Sequence, residues 1–443
     1  MKRMNRMTHK ILPALVLLLS PLLVPAALEA APPSRGAQAE PLPAAVFDKL
    51  ILSNAKIEVG DGTVIEGGSI LIEDGKIVRV EATTITNVAK SVTLDLQGKL
   101  ITPGLIAADT TIGVVEIGAE DSTHDDARHD PNPIKAGYDP APAVNADSTL
   151  ISIQAIEGVT TAAVAPQGGL ISGEVAWIDL LPGDHANIVA ASGVSVAANF
   201  GRAYAGSRAA SLAQLRQAFE DAKWYRDNQR NYERNQSREL VAHPLDLRAL
   251  WPVLDRKIPL VVRADRASDL LALIELGESL SISITILGAS EGWKVASELA
   301  AAKVIVVIQP TENLPGSFDT LGARLDNAKL LDDAGVTVAI AHFDSHNARN
   351  VTQEAGIAVA NGLSHAAGLR AITLNVAKAY GMDSEYGTIA PGKVASLVVW
   401  DGPDPFELST WAERVWVRGH ELDMTSRQTQ LRDRYMDLEA FAP

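Results

Sequence analysis

Four short stretches carry the side chains that could do chemistry. Asp109 and Thr111 close an apolar run that begins at Leu100. Arg263 and Asp265 close a second run, residues 259–265. His342, Asp344 and His346 sit at alternate positions after a third. Glu174 follows a glycine-rich stretch, residues 168–173. Carboxylates and imidazoles of this kind serve proton transfer or hold a divalent ion. In extended backbone alternate residues share a face, so His342, Asp344 and His346 would together offer a metal site. If the strand ends near Phe343, His346 falls into the loop and that site is lost. A loop over residues 116–130 adds Glu120, Asp121, His124, Asp125, Asp126, His129 and Asp130. It reads as a solvated cover, a weak cation site or a lid in contact with substrate. The chain has no cysteine, so thiolate nucleophiles, thiolate zinc sites and disulfides are excluded.

These residues need elements to hold them. Between Ile101 and Met382, short apolar runs alternate with helical patterns. Residues 159–164, 259–265, 283–287, 304–308 and 336–341 read as strands. Residues 211–231, 267–280, 291–302 and 352–362 read as helices. Repeated β-then-α order predicts a parallel sheet with right-handed crossovers. That many units predicts an α/β chain built on a (β/α)8 TIM-like barrel over residues 101–386. Functional side chains then belong at the C-terminal strand ends, so Asp109, Asp265 and Asp344 should crowd one mouth. Residues 168–173 read as a loop after a barrel strand. They are not a phosphate cradle, which would need Lys-Ser/Thr.

The two ends of the chain read as strands and turns. Asp74-Gly75 between alternating apolar runs is a hairpin signal. Neither end is thick enough to bury a core alone. Residues 45–100 and 387–425 are therefore expected to form one small discontinuous β-sandwich, with residues 426–443 as a tail. The N-terminus has a different character. Lys2, Arg3, Arg6 and Lys10 precede an apolar run from Ile11 to Val24, and small residues follow. This pattern predicts a signal peptide over residues 1–30, a flexible leader over 31–44 and a periplasmic or secreted protein. The apolar run falls short of the ~20 residues a membrane span needs, so no span is expected after processing. The formal net charge of -15 becomes about -18 once the signal is removed. Such a charge argues against nucleic acid as a partner.

The stretch Pro103-Gly104-Leu105-Ile106 resembles the start of the first barrel strand in the amidohydrolase superfamily, in its imidazolonepropionase-like branch. The likeness runs along nearly all of the expected mature chain. It implies a hydrolase of non-peptide C–N bonds acting on a small molecule. It also implies zinc or another divalent metal held by histidines at several strand ends. The metal ligands do not match. The His-x-His positions of the first strand hold Asp109 and Thr111. The later histidine positions hold Arg263 and Gly288, and an acidic position of the sandwich holds Ser396. The position of the family's acid/base aspartate is kept, as Asp344.

No cofactor is therefore expected. An arginine stays protonated and cannot ligate a metal, but its fork fits carboxylates. Arg263 is expected where the metal would sit, held by Asp344 or Asp109; the alternative is a side chain pointing to bulk solvent. Three readings stay open. One is the hydrolase of the resemblance. Another is an inactive, metal-free relative that binds a small molecule or a protein. The third is a hydrolase relocated around Asp344, His342 and Asp109. Thr111, Asp265 and Glu174 complete the candidates at the mouth.

Overall fold

The computed structural model describes residues 49–436. The expected signal peptide and leader lie outside the described residues. Five strands precede the barrel: β1 (Lys49–Glu58), β2 (Val64–Glu73), β3 (Lys76–Glu81), β4 (Ser91–Asp95) and β5 (Leu100–Pro103). Eight form it: β6 (Leu105–Thr110), β7 (Val159–Val164), β8 (Ile171–Asp179), β9 (Val189–Asn199), β10 (Leu260–Ala264), β11 (Ile284–Gly288), β12 (Ile305–Ile308) and β13 (Thr337–Ile340). Three follow: β14 (Leu397–Trp400), β15 (Ala412–Val417) and β16 (His420–Glu421). Residues 426–443 are not wholly a tail, since Arg427–Met436 is helical.

The outer strands share one sheet. Its order is β16-β15-β14-β5-β1-β2-β3, with β4 alongside β1. Strands from opposite ends of the chain meet at its centre, where Val398 pairs with Thr102. The turn between β2 and β3 places Asp74 and Gly75 at positive φ, 49° and 74°. That is the two-residue geometry whose twist matches the flanking strands. Arg418 and Gly419 repeat it between β15 and β16. The two turns pack against each other so closely that a Cβ on Gly75 would lie 2.7 Å from the Arg418 carbonyl oxygen.

The barrel strands run in sequence order from β6 to β13. The (β/α)8 class is as expected, but the sheet is not parallel throughout. Strand β8 runs antiparallel to both β7 and β9. Part of the glycine-rich stretch, taken as loop, is the first turn of chain into this strand. The reason is length: six residues join β7 to β8, and a parallel crossover needs a dozen or more. Strand β8 is also buried along nearly its whole length, so its sequence lacks the alternation that marks a half-exposed strand. The helix Ala267–Leu280 falls where the periodicity places it, and the longer helix is Arg208–Glu233. Residues 291–302 hold one 3-10 turn and the short helix Ala296–Ala301 rather than a single helix.

Ile106, Val175, Trp177, Val261, Leu287 and Val307 fill the barrel interior. Tyr380 and Tyr386 enter from the C-terminal segment and pack on Trp177, with ring centroids 5.9 and 5.4 Å away. The seam between β13 and β6 is bridged by that segment. Ile106 N donates to Ile372 O at 3.1 Å, and Asn375 Nδ2 donates to Val338 O at 2.7 Å. At the start of β6, Gly104 leaves no room for a side chain, because a Cβ there would overlap the Thr160 side chain. Among the described residues no helix is long and apolar enough to cross a membrane.

One buried carboxylate ties the outer sheet to the barrel. Asp179, at the end of β8, is fully buried. It accepts from Thr161 Oγ1 at 3.2 Å, Tyr386 Oη at 3.0 Å and Arg418 Nη1 at 3.4 Å. Burial pushes its pKa up to about 6, against the pull of Arg418 and the two hydroxyls.

Two outcomes are expected. Gly104→Ala should lower stability by about 1–3 kcal/mol through overpacking; an unchanged urea midpoint would refute the fit of β6 against Thr160. For Asp179 the folded pKa lies above the unfolded one. Its contribution is therefore full below about pH 4 and is lost as pH rises through about 6. Urea titrations of parent and Asp179→Asn should diverge by up to about 3 kcal/mol between pH 4 and 7, the variant gaining relative to the parent. A pH-independent difference would show that Asp179 keeps an ordinary carboxyl pKa.

Candidate active site

The C-terminal ends of β6 and β10 bring Asp109 and Arg263 together. Strand β6 does not end regularly: its pairing with β7 shifts between Ala107 and Thr110. Asp109 sits in that bulge with φ 53°. A left-handed backbone at a non-glycine residue is uncommon and costs on the order of 1 kcal/mol, while a bulge re-aims its side chain. The Asp109 N–H is held by Tyr380 Oη at 3.1 Å. Its carboxylate Oδ2 accepts directly from Arg263 Nη2. The ion pair is with Asp109, not Asp344.

Arg263 keeps about a third of its side chain exposed, 35%, against 10% for Asp109. Its guanidinium lies 4.3 Å from the centre of the Phe343 ring, a cation–π contact. Burial works to lower the Arg263 pKa, but the carboxylates of Asp109, Glu312 and Asp265 together more than offset it, so the cation is permanent. Three further carboxylates line this side of the mouth. Asp265 Oδ1 accepts from Ser290 Oγ at 2.7 Å and from Ser290 N at 3.3 Å. Glu354, buried, accepts from Thr311 N and Oγ1 at 2.9 and 2.6 Å. Glu312 keeps exposed surface but is crowded on the mouth side. Lost hydration pushes its carboxyl pKa up, against the pull of Arg263.

The remaining candidates go elsewhere. Strand β13 ends at Ile340, before His342, so the alternate-residue face does not form. His342 turns towards Glu354, Nε2 to Oε1 3.9 Å, and its Nδ1 accepts from Asp344 N at 3.3 Å. Asp344 is exposed and caps the turn Ser345–Asn350. It accepts from His346 N at 2.9 Å and from Asn347 Nδ2 at 2.7 Å. Its neighbours Phe343 and Ser345 touch Arg263 and Thr111, but the contacts of Asp344 itself are with its own turn. Thr111 bonds Ser345 through both N and Oγ1, at 2.8 and 3.1 Å. Glu174 faces away towards Asp139; burial, then that carboxylate, raises its pKa. The 116–130 loop is held by its own contacts. Glu116 accepts from Asn145 and Ser148, and Arg128 forks onto buried Asp246 at 2.9 and 3.0 Å.

Residues 293–423 match the model of the amidohydrolase family. The crystal structure of an amidohydrolase from Thermotoga maritima superposes with a TM-score of 0.75 at 24% identity, covering 84% of this chain and 99% of that one. A structure of molinate hydrolase superposes with a TM-score of 0.52 at 16% identity, over 85% of this chain and 95% of that one. A prolidase complexed with N-methylphosphonate-L-proline gives 0.53 at 14% identity, over 85% and 99%. Amidohydrolase tasK of Hapsidospora irregularis is 34% identical over 122 residues, which span 25% of this chain and 12% of that protein.

At the barrel mouth, the positions that the family resemblance assigns to histidine ligands hold Asp109, Thr111, Arg263 and Gly288, none of them an imidazole. A guanidinium stands against Asp109, and it neither ligates nor tolerates a neighbouring dication. Gly288 has φ 94°, and a Cβ there would lie 2.7 Å from Asp265 Oδ1, so a side chain at that position would be strained and would have to displace Asp265. Among the described residues no group of three or more His, Asp or Glu is placed to hold a metal.

Sequence reasoning missed Tyr380, Phe343, Ser345, Glu312 and Glu354. Tyr380 Oη is fully buried, and burial raises its pKa, so it stays a neutral hydroxyl beside Asp109. No local signal marks these residues; their roles come from the fold bringing them to Arg263.

Arg263→Ala should cost about 1–3 kcal/mol. This is less than the ~3–5 kcal/mol for breaking a fully buried pair, because solvent screens the exposed third of the side chain. A double-mutant cycle with Asp109→Ala should show a coupling of at least about 0.5 kcal/mol. Strictly additive effects would mean that the pair contributes nothing.

Proposed function

We propose that this chain binds a small polar molecule at the mouth of an amidohydrolase barrel and does so without the family's metal. One observation carries the reading: Arg263 pairs with Asp109 where the family resemblance puts the metal. Arg263 has five N–H donors and Asp109 uses one of them, so others remain for a ligand. Phe343 offers an aromatic face, and Glu312 and Asp265 offer acceptors beside it. The known partners of similar folds are small molecules, as in the prolidase complex named above. The basic, apolar and small-residue order of the N-terminus supports export to the periplasm or beyond. The Pro103-Gly104-Leu105-Ile106 motif supports a place in the imidazolonepropionase-like branch.

A hydrolytic reading is favoured by a different observation. Glu312, with its raised pKa, stands within the field of both Arg263 and His342. A carboxyl so tuned suits general acid or base catalysis. In that reading the substrate is a small molecule with a non-peptide C–N bond. Arg263 would hold its carbonyl oxygen, and Glu312 would take a proton from attacking water.

Elemental analysis of the purified full chain tests the metal-free reading. Zinc below 0.1 equivalent and no rise in Tm with added zinc are expected, since a bound ion would stabilise the folded state by mass action. Stoichiometric metal that disappears in Asp344→Ala would overturn it and return weight to a relocated centre. Arg263→His should restore no zinc binding, because Thr111 and Gly288 still supply no imidazole.

A further inference from the structure

A cavity lies at the opposite end of the barrel from Arg263. It is about 550 Å³ and opens where β10, β11 and β12 begin. A cavity of this size is ordinary for a small-molecule site. Its walls are half apolar, with Ile258, Ile274 and Ile282 supplying hydrocarbon surface, and its charged rim is basic. Arg256, Lys257, Lys303 and Lys378 line it, and Glu278 is the one acid among the lining residues. In a chain of net charge -15, such a concentration of cations is out of character.

The backbone beneath these cations is unusual. Four helices end in the same double closure before a barrel strand. Arg256 N donates to Val253 O with Lys257 N to Pro252 O; Ser281 N to Glu278 O with Ile282 N to Gly277 O. Lys303 N donates to Ala300 O with Val304 N to Leu299 O; Gly335 N to Asp332 O with Val336 N to Leu331 O. This closure puts one residue at positive φ, a place that glycine fills at least cost. Before β13 it is glycine. At the cavity it is Arg256, Ser281 and Lys303, with φ of 59°, 58° and 56°. Two long cations therefore hold strained positions that glycine would relieve, and both reach the cavity rim.

The cations differ in what they already do. Arg256 Nε donates to Ser281 O and ties two of the turns together. Lys257 lies 3.5 Å from Asp255. Lys303 and Lys378 have no acid assigned to them among the described residues, and both are exposed. A cation beside a helix C-terminus is favoured by the helix dipole alone. That explains a lysine near the end of one helix. It does not explain why a strained position is kept at three successive turns, nor why four cations line one cavity.

We propose that this cavity binds a small organic dianion, with Lys303 and Lys378 pairing its charged ends and the isoleucine walls covering its apolar body. Dicarboxylates and phosphate esters share that chemistry. The site is separate from the Arg263 mouth, so it stands whether or not the function proposed above is right.

Calorimetric titration of the full chain with suberate and, separately, with inorganic phosphate tests it at low and at physiological salt. The expected result is saturable one-site binding of suberate that weakens as salt rises. Phosphate binding as tightly as suberate would instead assign the site to a phosphate group. Lys303→Gln/Lys378→Gln should weaken binding at least tenfold, a change of about 1.4 kcal/mol. Lys303→Gly should weaken it too while leaving Tm equal to or above that of the parent, because glycine relieves the positive φ. Loss of stability in Lys303→Gly with suberate affinity unchanged would assign the lysine to the helix end alone and overturn the proposal. So would no detectable binding of either anion, or equal binding by parent and double variant.

Discussion

A permanent cation at the barrel mouth sets the terms for everything around it. Arg263 brings a positive charge into a site that also gathers Asp109, Asp265, Glu312 and Glu354. Like carboxylates this close would otherwise raise one another's pKa and repel. A metal solves that problem through several ligands at once. A guanidinium solves it with one side chain, but only if a carboxylate is delivered to it at the right angle. Here the delivery falls to the β6 bulge, which holds Asp109 in a left-handed conformation while Tyr380 takes its N–H. Tyr380 is in turn fixed by Trp177 inside the barrel. The strained backbone at the mouth thus rests on an aromatic core several residues deep.

The far end of the same interior repeats the arrangement with a different balance. Asp179 and Arg418 pair beneath Tyr386, which packs on the other side of Trp177. The carboxylate at that end is fully buried while 42% of its cation's side chain is exposed, so burial prevails and the pKa of Asp179 rises. At the mouth the carboxylate is nearly buried and the cation partly so, with an aromatic ring against it. One pair closes the outer sheet onto the barrel. The other pair stands where ligands enter.

Much of this was legible because it follows from period and turn chemistry. The Asp74-Gly75 hairpin needs two residues at positive φ, and the sequence supplies the favoured pair. The helix over residues 267–280 follows its 3.6-residue spacing. Arg263 was singled out because a cation stood where an imidazole belongs, and Asp109 because it ends the first barrel strand. The antiparallel β8 was not legible, because a strand buried on both faces shows no alternation. The pairing of Asp344 was not legible either: β13 ends at Ile340, one residue before the end of the apolar run, and the carboxylate caps the following turn instead of reaching Arg263. Tyr380 and Glu312 lie 271 and 203 residues from Asp109 in the chain, and no spacing rule reaches that far.

The barrel divides its charge between its two ends. Acids outnumber the single arginine around the mouth, while lysines and arginine outnumber the single acid around the opposite cavity. The strands β10 to β12 hold the two rims apart by their own length, with an apolar interior between them. Stability constrains the cavity end lightly, since glycine would serve the backbone better at Arg256 and Lys303 than the residues present. A position that keeps a costly residue where a cheaper one fits is better explained by what its side chain touches than by how the chain turns.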